Sequence, residues 1–404
     1  MSQCYNAISL FTGIGGLDFG FEAAGFKTAV ALDFEPTVCT TVRANRPSWN
    51  ILEGDIHSFS TPQILEQAGL TKESVTVVFG GPPCQPFSKS SYWVRGDSLR
   101  LSDPRASTLS EFIRIIDEVL PPVFLLENVQ GLNYKNKNEG FQLIVNGIEE
   151  INKKHSCVYS LSHAVLNSAD YGVPQIRERI FIVGNRLGKK FKFPSPTHFP
   201  ESNELSLLDK PKYMTAWDAI GDLEDAATGE SLKVGGKWGD LLPTIPEGKN
   251  YLWHTERGGG ASLFGWRTRY WSFLLKLSKN LPSWTIQAQP GSAIGPFHWK
   301  NRKLSAKEMC RIQTFPDDIV FPCNRTEIQR MIGNAVPSLL AEILATEIKR
   351  QIFGDTVPEK LQLAPTKRLP LPDPEPLQPL PEKYFPLIGD YLPHHTCRKQ
   401  HALS

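Results

Sequence analysis

At 404 residues the chain is long enough for two domains, each with a sizeable core. A hydrophobic share of 40% against 21% charged residues excludes a mostly disordered chain. The formal net charge of +2 leaves the partner open, because a near-neutral total can hide a basic face.

The seven cysteines are scattered from Cys4 to Cys397 and form no C-x-x-C pair. That argues against a metal site or a redox pair and for a reduced, intracellular chain. No basic segment followed by an apolar run opens the sequence, and no apolar run approaches the ~18–20 residues of a membrane span, so neither a secretory signal nor membrane attachment is expected.

Residues 1–185 alternate short apolar runs with amphipathic stretches. Strands are predicted at Ala7–Leu10, Thr28–Leu32, Val75–Phe79, Val123–Leu126, Val158–Leu161 and Arg179–Val183. The clearest helix carries Leu109, Phe112, Ile113, Ile116 and Val119 at helical spacing and stops before Pro121-Pro122. This alternation predicts an α/β fold, a doubly wound parallel sheet with ligands bound outside the carboxyl ends of its strands. After Arg186 the pattern breaks: loop-forming residues dominate to about residue 300, and seven of the nine tryptophans lie between Trp217 and Trp299. Helical patterns return at Ser305–Phe315 and Glu327–Arg350, and a proline-rich stretch from Asp355 reads as an extended arm.

Four clusters sit at the predicted strand ends. Phe11-Thr12-Gly13-Ile14-Gly15-Gly16 follows the first strand and opens a helix, where glycines let a ligand approach the backbone at a helix N-terminus. It is not the dinucleotide fingerprint, because Asp18 stands where the third glycine belongs. Asp33 ends the next strand about 20 residues on, in reach of ribose hydroxyls. A tight turn without a ligand explains the loop alone; loop and acid together fit an adenosine-containing cofactor better.

Gly80-Gly81-Pro82-Pro83-Cys84-Gln85 follows the strand at Val75–Phe79. A lone cysteine is most often a small core hydrophobe, but two prolines that fix the backbone at a ligand-binding edge argue that Cys84 is on display. Glu127-Asn128-Val129 closes the next strand on the same edge, where Glu127 reads either as an acid or hydrogen-bond partner or as a surface carboxylate. In Gln175-Ile176-Arg177-Glu178-Arg179, alternation puts Arg177 and Arg179 on one face, to hold a phosphate or carboxylate; taken alone they also read as surface charges.

In this order the blocks closely resemble the DNA cytosine-5 methyltransferase family of bacterial restriction–modification systems: Phe11 to Gly16, Pro83-Cys84-Gln85, Glu127-Asn128-Val129, and Gln175 to Arg179. Arg302 through Pro316 and Gly333-Asn334-Ala335-Val336-Pro337 match the family's late blocks. The resemblance covers residues 6–350 apart from the variable middle. It implies a Rossmann-like catalytic domain at 1–185 plus 327–354, a smaller irregular target-recognition domain at 186–326, and an arm at 355–404. S-adenosylmethionine is the implied cofactor, with Phe11, Gly13, Gly15, Gly16, Asp33, Phe34, Asp55, Pro83, Asn334 and Val336 around it. Asp33 departs from the glutamate many relatives carry there.

The implied chemistry is methylation of C5 of a flipped-out cytosine. Cys84 is the nucleophile on C6, Glu127 the acid at N3, and Arg177 and Arg179 hold the base and orient Glu127. The implied partners are double-stranded DNA and a cognate restriction endonuclease that acts on the same site without a stable complex. The enzyme is expected to be a monomer in the bacterial cytosol. Basic residues between Ser88 and Arg105 form a candidate lid over DNA, and Arg267, Arg269, Gln287, Gln289 and His298 are candidates for groove contacts, with the tryptophans as a small core. The tRNA-methylating branch of this chemistry carries a Cys-Phe-Thr element that is absent here. A catalytically silent DNA-binding relative is disfavoured by the intact Cys84 and Glu127 blocks, and a nicotinamide dehydrogenase by the missing glycine.

Overall fold

The computed structural model describes residues 4–83, 107–129, 139–201, 210–225 and 229–389. Cys84 and the stretch 88–105 lie outside them.

A seven-stranded sheet organises the first half. It is built from β1 (Tyr5–Leu10), β2 (Phe26–Asp33), β3 (Asn50–Glu53), β4 (Val75–Gly80), β5 (Val123–Val129), β6 (Ser160–Asn167) and β8 (Glu178–Asn185), in the order β3-β2-β1-β4-β5-β8-β6. The first five strands are parallel, and β8 and β6 are antiparallel. The doubly wound expectation therefore holds for five strands, and the antiparallel pair closes one edge, a common ending for such sheets. The central strands β1, β4 and β5 are apolar on both faces, as burial between two helix layers requires.

The helices α1 (Gly16–Ala23), α2 (Pro36–Asn45), α3 (Thr61–Ala68), α4 (Ser107–Val119) and α5 (Glu139–His155) cover the faces. Leu109, Phe112, Ile116 and Val119 of α4 are buried against Phe124 and Leu126, as their spacing predicts. Further along come α6 (Ala216–Ile220), α7 (Ala306–Ile312), α8 (Arg325–Asn334) and α9 (Ser338–Ile348). The single helix expected at Glu327–Arg350 is thus two, because Pro337 cannot continue the ladder and Ala335 is extended. Residues 325–353 match a membrane span in length and apolarity, but 72% of the apolar 18-residue window within them is buried inside the molecule, where α9 packs on α1. That approach is close enough that a side chain at Gly20 would run into Ala341 and Glu342.

Residues 216–220, 277, 286 and 299–315 share a core with α1, α2 and α8, through Ile220, Trp299, Ile312 and Met331. A separate cluster joins Leu241, Ile245, Tyr251, Phe264, Phe273 and, from far along the chain, Tyr384. A two-residue parallel pairing, β7 (Gln175–Ile176) with β9 (Ser283–Trp284), joins this region to the sheet edge.

Candidate active site

The carboxyl ends of β1, β2, β4 and β5 form one edge, and the antiparallel β8 begins there. After β1 the chain turns through left-handed conformations at Phe11 (φ 56°), Gly13 (φ 55°) and Gly15 (φ 85°) before entering α1. The turn is pinned on two sides. Thr12 N–H donates to Leu32 O at 3.0 Å, and Gly13 N–H donates to Asp33 Oδ2 at 2.8 Å. Asp33 also accepts from Glu35 N at 3.1 Å, and burial pushes its carboxyl above its ordinary value against these hydrogen bonds.

Phe34, 65% exposed, stands beside this pair. Asp55 caps the next turn and accepts from His57 N at 3.0 Å, with its side chain largely exposed and the His57 hydrogen bond holding its pKa down. Asn334 is exposed at the end of α8, and Val336 packs its carbonyl so tightly on Gly16 that only glycine fits there. Ten predicted cofactor positions thus fall in two groups. Phe11, Gly13, Gly15 and Gly16 in the turn after β1 and Asp33 and Phe34 at the end of β2 form the candidate cofactor cradle, with Val336 packed on Gly16 and Asn334 two residues before it; Asp55 lies after the neighbouring β3, and Pro83 is exposed beyond β4. A loop with backbone open at Gly13 and an acid at its rim fits an adenosine group.

Glu127, 8% exposed, closes β5. Its Oε1 lies 3.1 Å from Arg179 Nε, an ion pair between diagonal neighbours of β5 and β8. Burial raises its pKa, opposed by Arg179 and Arg177. The chain after β4 is held to this carboxyl: Asn128 Nδ2 donates to Pro82 O at 3.3 Å, and a Cβ on Gly81 would sit 2.8 Å from Glu127 Oε2. Cys84 follows within two residues of Pro82 and is not among the described residues. Burial pushes the Cys39 thiol up to about 12 and the Cys310 thiol up as well, which disfavours the thiolate at both.

Arg177 does not share the face that alternation predicted. It sits between β7 and β8, fully buried, and its Nη2 donates to Gly333 O at 3.0 Å, one residue before Asn334. Its Nε and Nη1 and both polar atoms of Gln175 are buried without a hydrogen-bond partner among the described residues. His298, a candidate for a DNA groove, is likewise corrected. It is wholly buried, 3.5 Å from Glu308, and burial pushes its pKa down to about 2, so it is neutral. Arg267, Arg269, Gln287 and Gln289 are exposed as expected. Trp217, Trp238, Trp253 and Trp299 pack into cores, whereas Trp266 (40%) and Trp271 (55%) are exposed. The bidentate Arg330–Glu35 pair, which ties α8 to the start of α2 beside the cradle, has no signal in the sequence, since its partners lie 295 positions apart.

Residues 5–350 match the model of the family described as C-5 cytosine-specific DNA methylase, and the chain belongs to that family. Curated relatives include the type II methyltransferase M.SacI of Streptomyces achromogenes, 40% identical over 87% of this chain and 96% of that protein, and M.NgoFVII of Neisseria gonorrhoeae, 36% identical over 88% and 89%. Among solved structures, a prophage-encoded DNA modification methyltransferase of E. coli matches 86% of this chain and 99% of its own, with TM-score 0.60 at 24% identity. DNMT2 of Spodoptera frugiperda matches with TM-score 0.58 at 18% identity. The chain is a DNA cytosine-5 methyltransferase, and the curated relatives it matches are named type II methyltransferases.

Proposed function

We propose that this enzyme methylates cytosine within a specific duplex sequence by covalent catalysis on a flipped-out base, with Cys84 as nucleophile. The observation that carries the reading is the buried Glu127 carboxyl, gripped by Arg179 beside the chain that leads directly into Cys84. The Cys84 thiolate adds to C6 of cytosine while Glu127 gives its proton to N3, which moves the electron pair to C5. S-adenosylmethionine, when bound, supplies the electrophilic methyl group. C5 takes up the methyl group, loss of the C5 proton to a base returns the electron pair that expels the thiolate, and N3 gives its proton back to Glu127, which restores the ring. A stacked base cannot meet groups at the bottom of this edge, so the target rotates out of the duplex at a cost of a few kcal/mol.

The cofactor is held by Phe11, Gly13, Gly15, Gly16, Asp33, Phe34, Asp55, Pro83, Asn334 and Val336. Asp33 keeps a lone pair on each oxygen for the ribose diol, and Phe34 offers its face to the adenine. Arg179 orients Glu127, and Arg177 works one step behind it. Within the proposed target-recognition domain at 186–326, the part at 234–297 that carries the separate apolar cluster, with Arg267, Arg269, Gln287 and Gln289 exposed, contacts the DNA. The protein works in the bacterial cytosol, on DNA shared with a cognate endonuclease. Base flipping is tested with 2-aminopurine at the target position, whose fluorescence rises on unstacking; an unchanged signal in a bound complex contradicts it.

A further inference from the structure

Among the described residues, the proline-rich segment 355–389 runs along the protein and is bonded to it at several points. It leaves α9 and is anchored first on the catalytic side, where Gln362 N and Leu363 N donate to the two oxygens of buried Glu342 at 2.6 and 2.9 Å. Arg368 then docks on α6: its N–H and Nε donate to Asp218 at 2.9 and 2.8 Å, and its Nη2 lies 2.9 Å from Asp222. Farther on, Lys279 Nζ donates to Asp373 O at 2.8 Å and Glu375 Oε1 at 2.9 Å, while Glu375 N donates to Glu247 Oε1 at 2.9 Å. Lys279 and Glu247 are both buried there, 3.3 Å apart.

The far end inserts into the separate apolar cluster. Tyr384, 2% exposed, stacks on Trp238 with ring centroids 5.7 Å apart and 10° between planes, and its hydroxyl donates to Lys237 O at 2.7 Å. Gly389 N–H donates to Ser262 O at 2.9 Å. This cluster is the floor of the loop 256–271. Phe264 and Phe273 belong to it, Tyr251 hydroxyl donates to Arg269 O at 3.1 Å, and above it Arg257 lies 4.5 Å over the exposed Trp266. A cluster this small has little apolar area of its own, so one more buried tyrosine is a large part of its stability.

We propose that residues 355–389 are a strap that fixes the DNA-contacting unit on the catalytic domain, with Tyr384 as a positioning residue for DNA binding that acts through the floor of the loop 256–271. The strap lies beyond residue 350, where the family match ends. The inference rests on the reading of 234–297 as the DNA-contacting unit. It explains why the segment carries prolines: they lower the entropy lost when an irregular chain is laid along a surface.

The test compares Tyr384→Ala, Tyr384→Phe, Arg368→Ala and the double variant Arg267→Ala/Arg269→Ala in the full chain. KM for a duplex substrate and calorimetric binding of S-adenosylmethionine are measured for each. Tyr384→Ala and Arg368→Ala should raise KM for DNA about tenfold or more, with cofactor affinity within about threefold of the parent. Tyr384→Phe, which keeps the stack, should stay close to the parent. Combining the two strap variants should do little more than the stronger alone, because each frees the same strap. If Tyr384→Ala does not fold, Arg368→Ala and Glu375→Gln carry the comparison. Unchanged KM for DNA in the strap variants, or a parallel loss of cofactor binding, overturns the proposal. If instead the loop arginine pair leaves DNA binding unaltered, it is the reading of the DNA-contacting unit that fails.

Discussion

Arg179, near the start of β8, lies 3.1 Å from Glu127, near the end of β5, because these two strands run antiparallel and bring a beginning and an end to one edge. A parallel neighbour would have carried its arginine to the opposite edge of the sheet. The pair sets the acid strength of the site: burial raises the Glu127 pKa, and Arg179 and Arg177 draw it back. Arg179→Gln removes the nearer cation, so the carboxyl holds its proton to higher pH. The alkaline fall of kcat, which comes with loss of that proton, should move upward in pH. Turnover itself should drop roughly 10²–10⁴-fold as the acid loses its orientation. An unmoved alkaline limb contradicts the role given to Glu127.

Asp33 accepts from Gly13 N–H through Oδ2 and from Glu35 N–H through Oδ1, which leaves a further lone pair on each oxygen. Asp33→Ala should weaken S-adenosylmethionine binding by roughly tenfold to a hundredfold, the worth of a charge-assisted hydrogen bond. DNA affinity should change little. Calorimetry that finds cofactor affinity unaltered removes Asp33 from the site.

Glu127 and Asp33 are legible in the sequence because each closes a strongly apolar strand, and strand ends in such a sheet are where ligands sit. Other features leave no such mark. The edge strand β3 is only partly buried and carries no long apolar run, so nothing in the sequence marks Asn50–Glu53, and the strand expected at Val158–Leu161 starts two residues before β6 and stops six short of its end. Arg177 looks equivalent to Arg179 by alternation, but the chain steps from β7 to β8 at that residue and turns it inward to Gly333. His298 reads as polar and therefore exposed; a buried histidine beside Trp299 looks the same in a one-dimensional string.

Asp18 stands where a dinucleotide-binding loop has glycine, and the structure gives it a different use. It is wholly buried, accepts from Ser9 Oγ at 3.0 Å and Thr28 Oγ1 at 3.3 Å, and burial lifts its pKa to about 7. The folded chain therefore keeps a proton that the unfolded chain releases near pH 4. Asp18 leaves stability intact below that pH and lowers it progressively as pH rises through 7, by roughly 2–4 kcal/mol at the alkaline end. Asp18→Asn should flatten this dependence and raise Tm at pH 8 relative to pH 5. Parallel Tm–pH curves for the two proteins count against it.

Arg267 and Arg269 are exposed on the loop above the Tyr384 cluster, beside Trp266 and Tyr270. Each phosphate contact contributes about one unit to the slope of log affinity against log salt. Arg267→Ala should therefore weaken duplex binding and lower that slope by about one unit if it meets phosphate. A contact to a base edge leaves the slope unchanged and instead relaxes sequence preference by about 1–3 kcal/mol at one position. Retained affinity, slope and preference together place this loop away from DNA.

The central claim is covalent catalysis by Cys84 with Glu127 as its acid, and a 5-fluorocytosine duplex tests it most directly. Fluorine at C5 cannot leave as the proton does, so elimination stalls after methyl transfer. With S-adenosylmethionine present, the parent enzyme should form an enzyme–DNA adduct that survives denaturing electrophoresis, mapped by mass spectrometry to Cys84. Cys84→Ser, still binding the duplex, should form none. An adduct that persists in the Cys84→Ser variant, or a parent enzyme that methylates ordinary DNA yet never traps, contradicts the account.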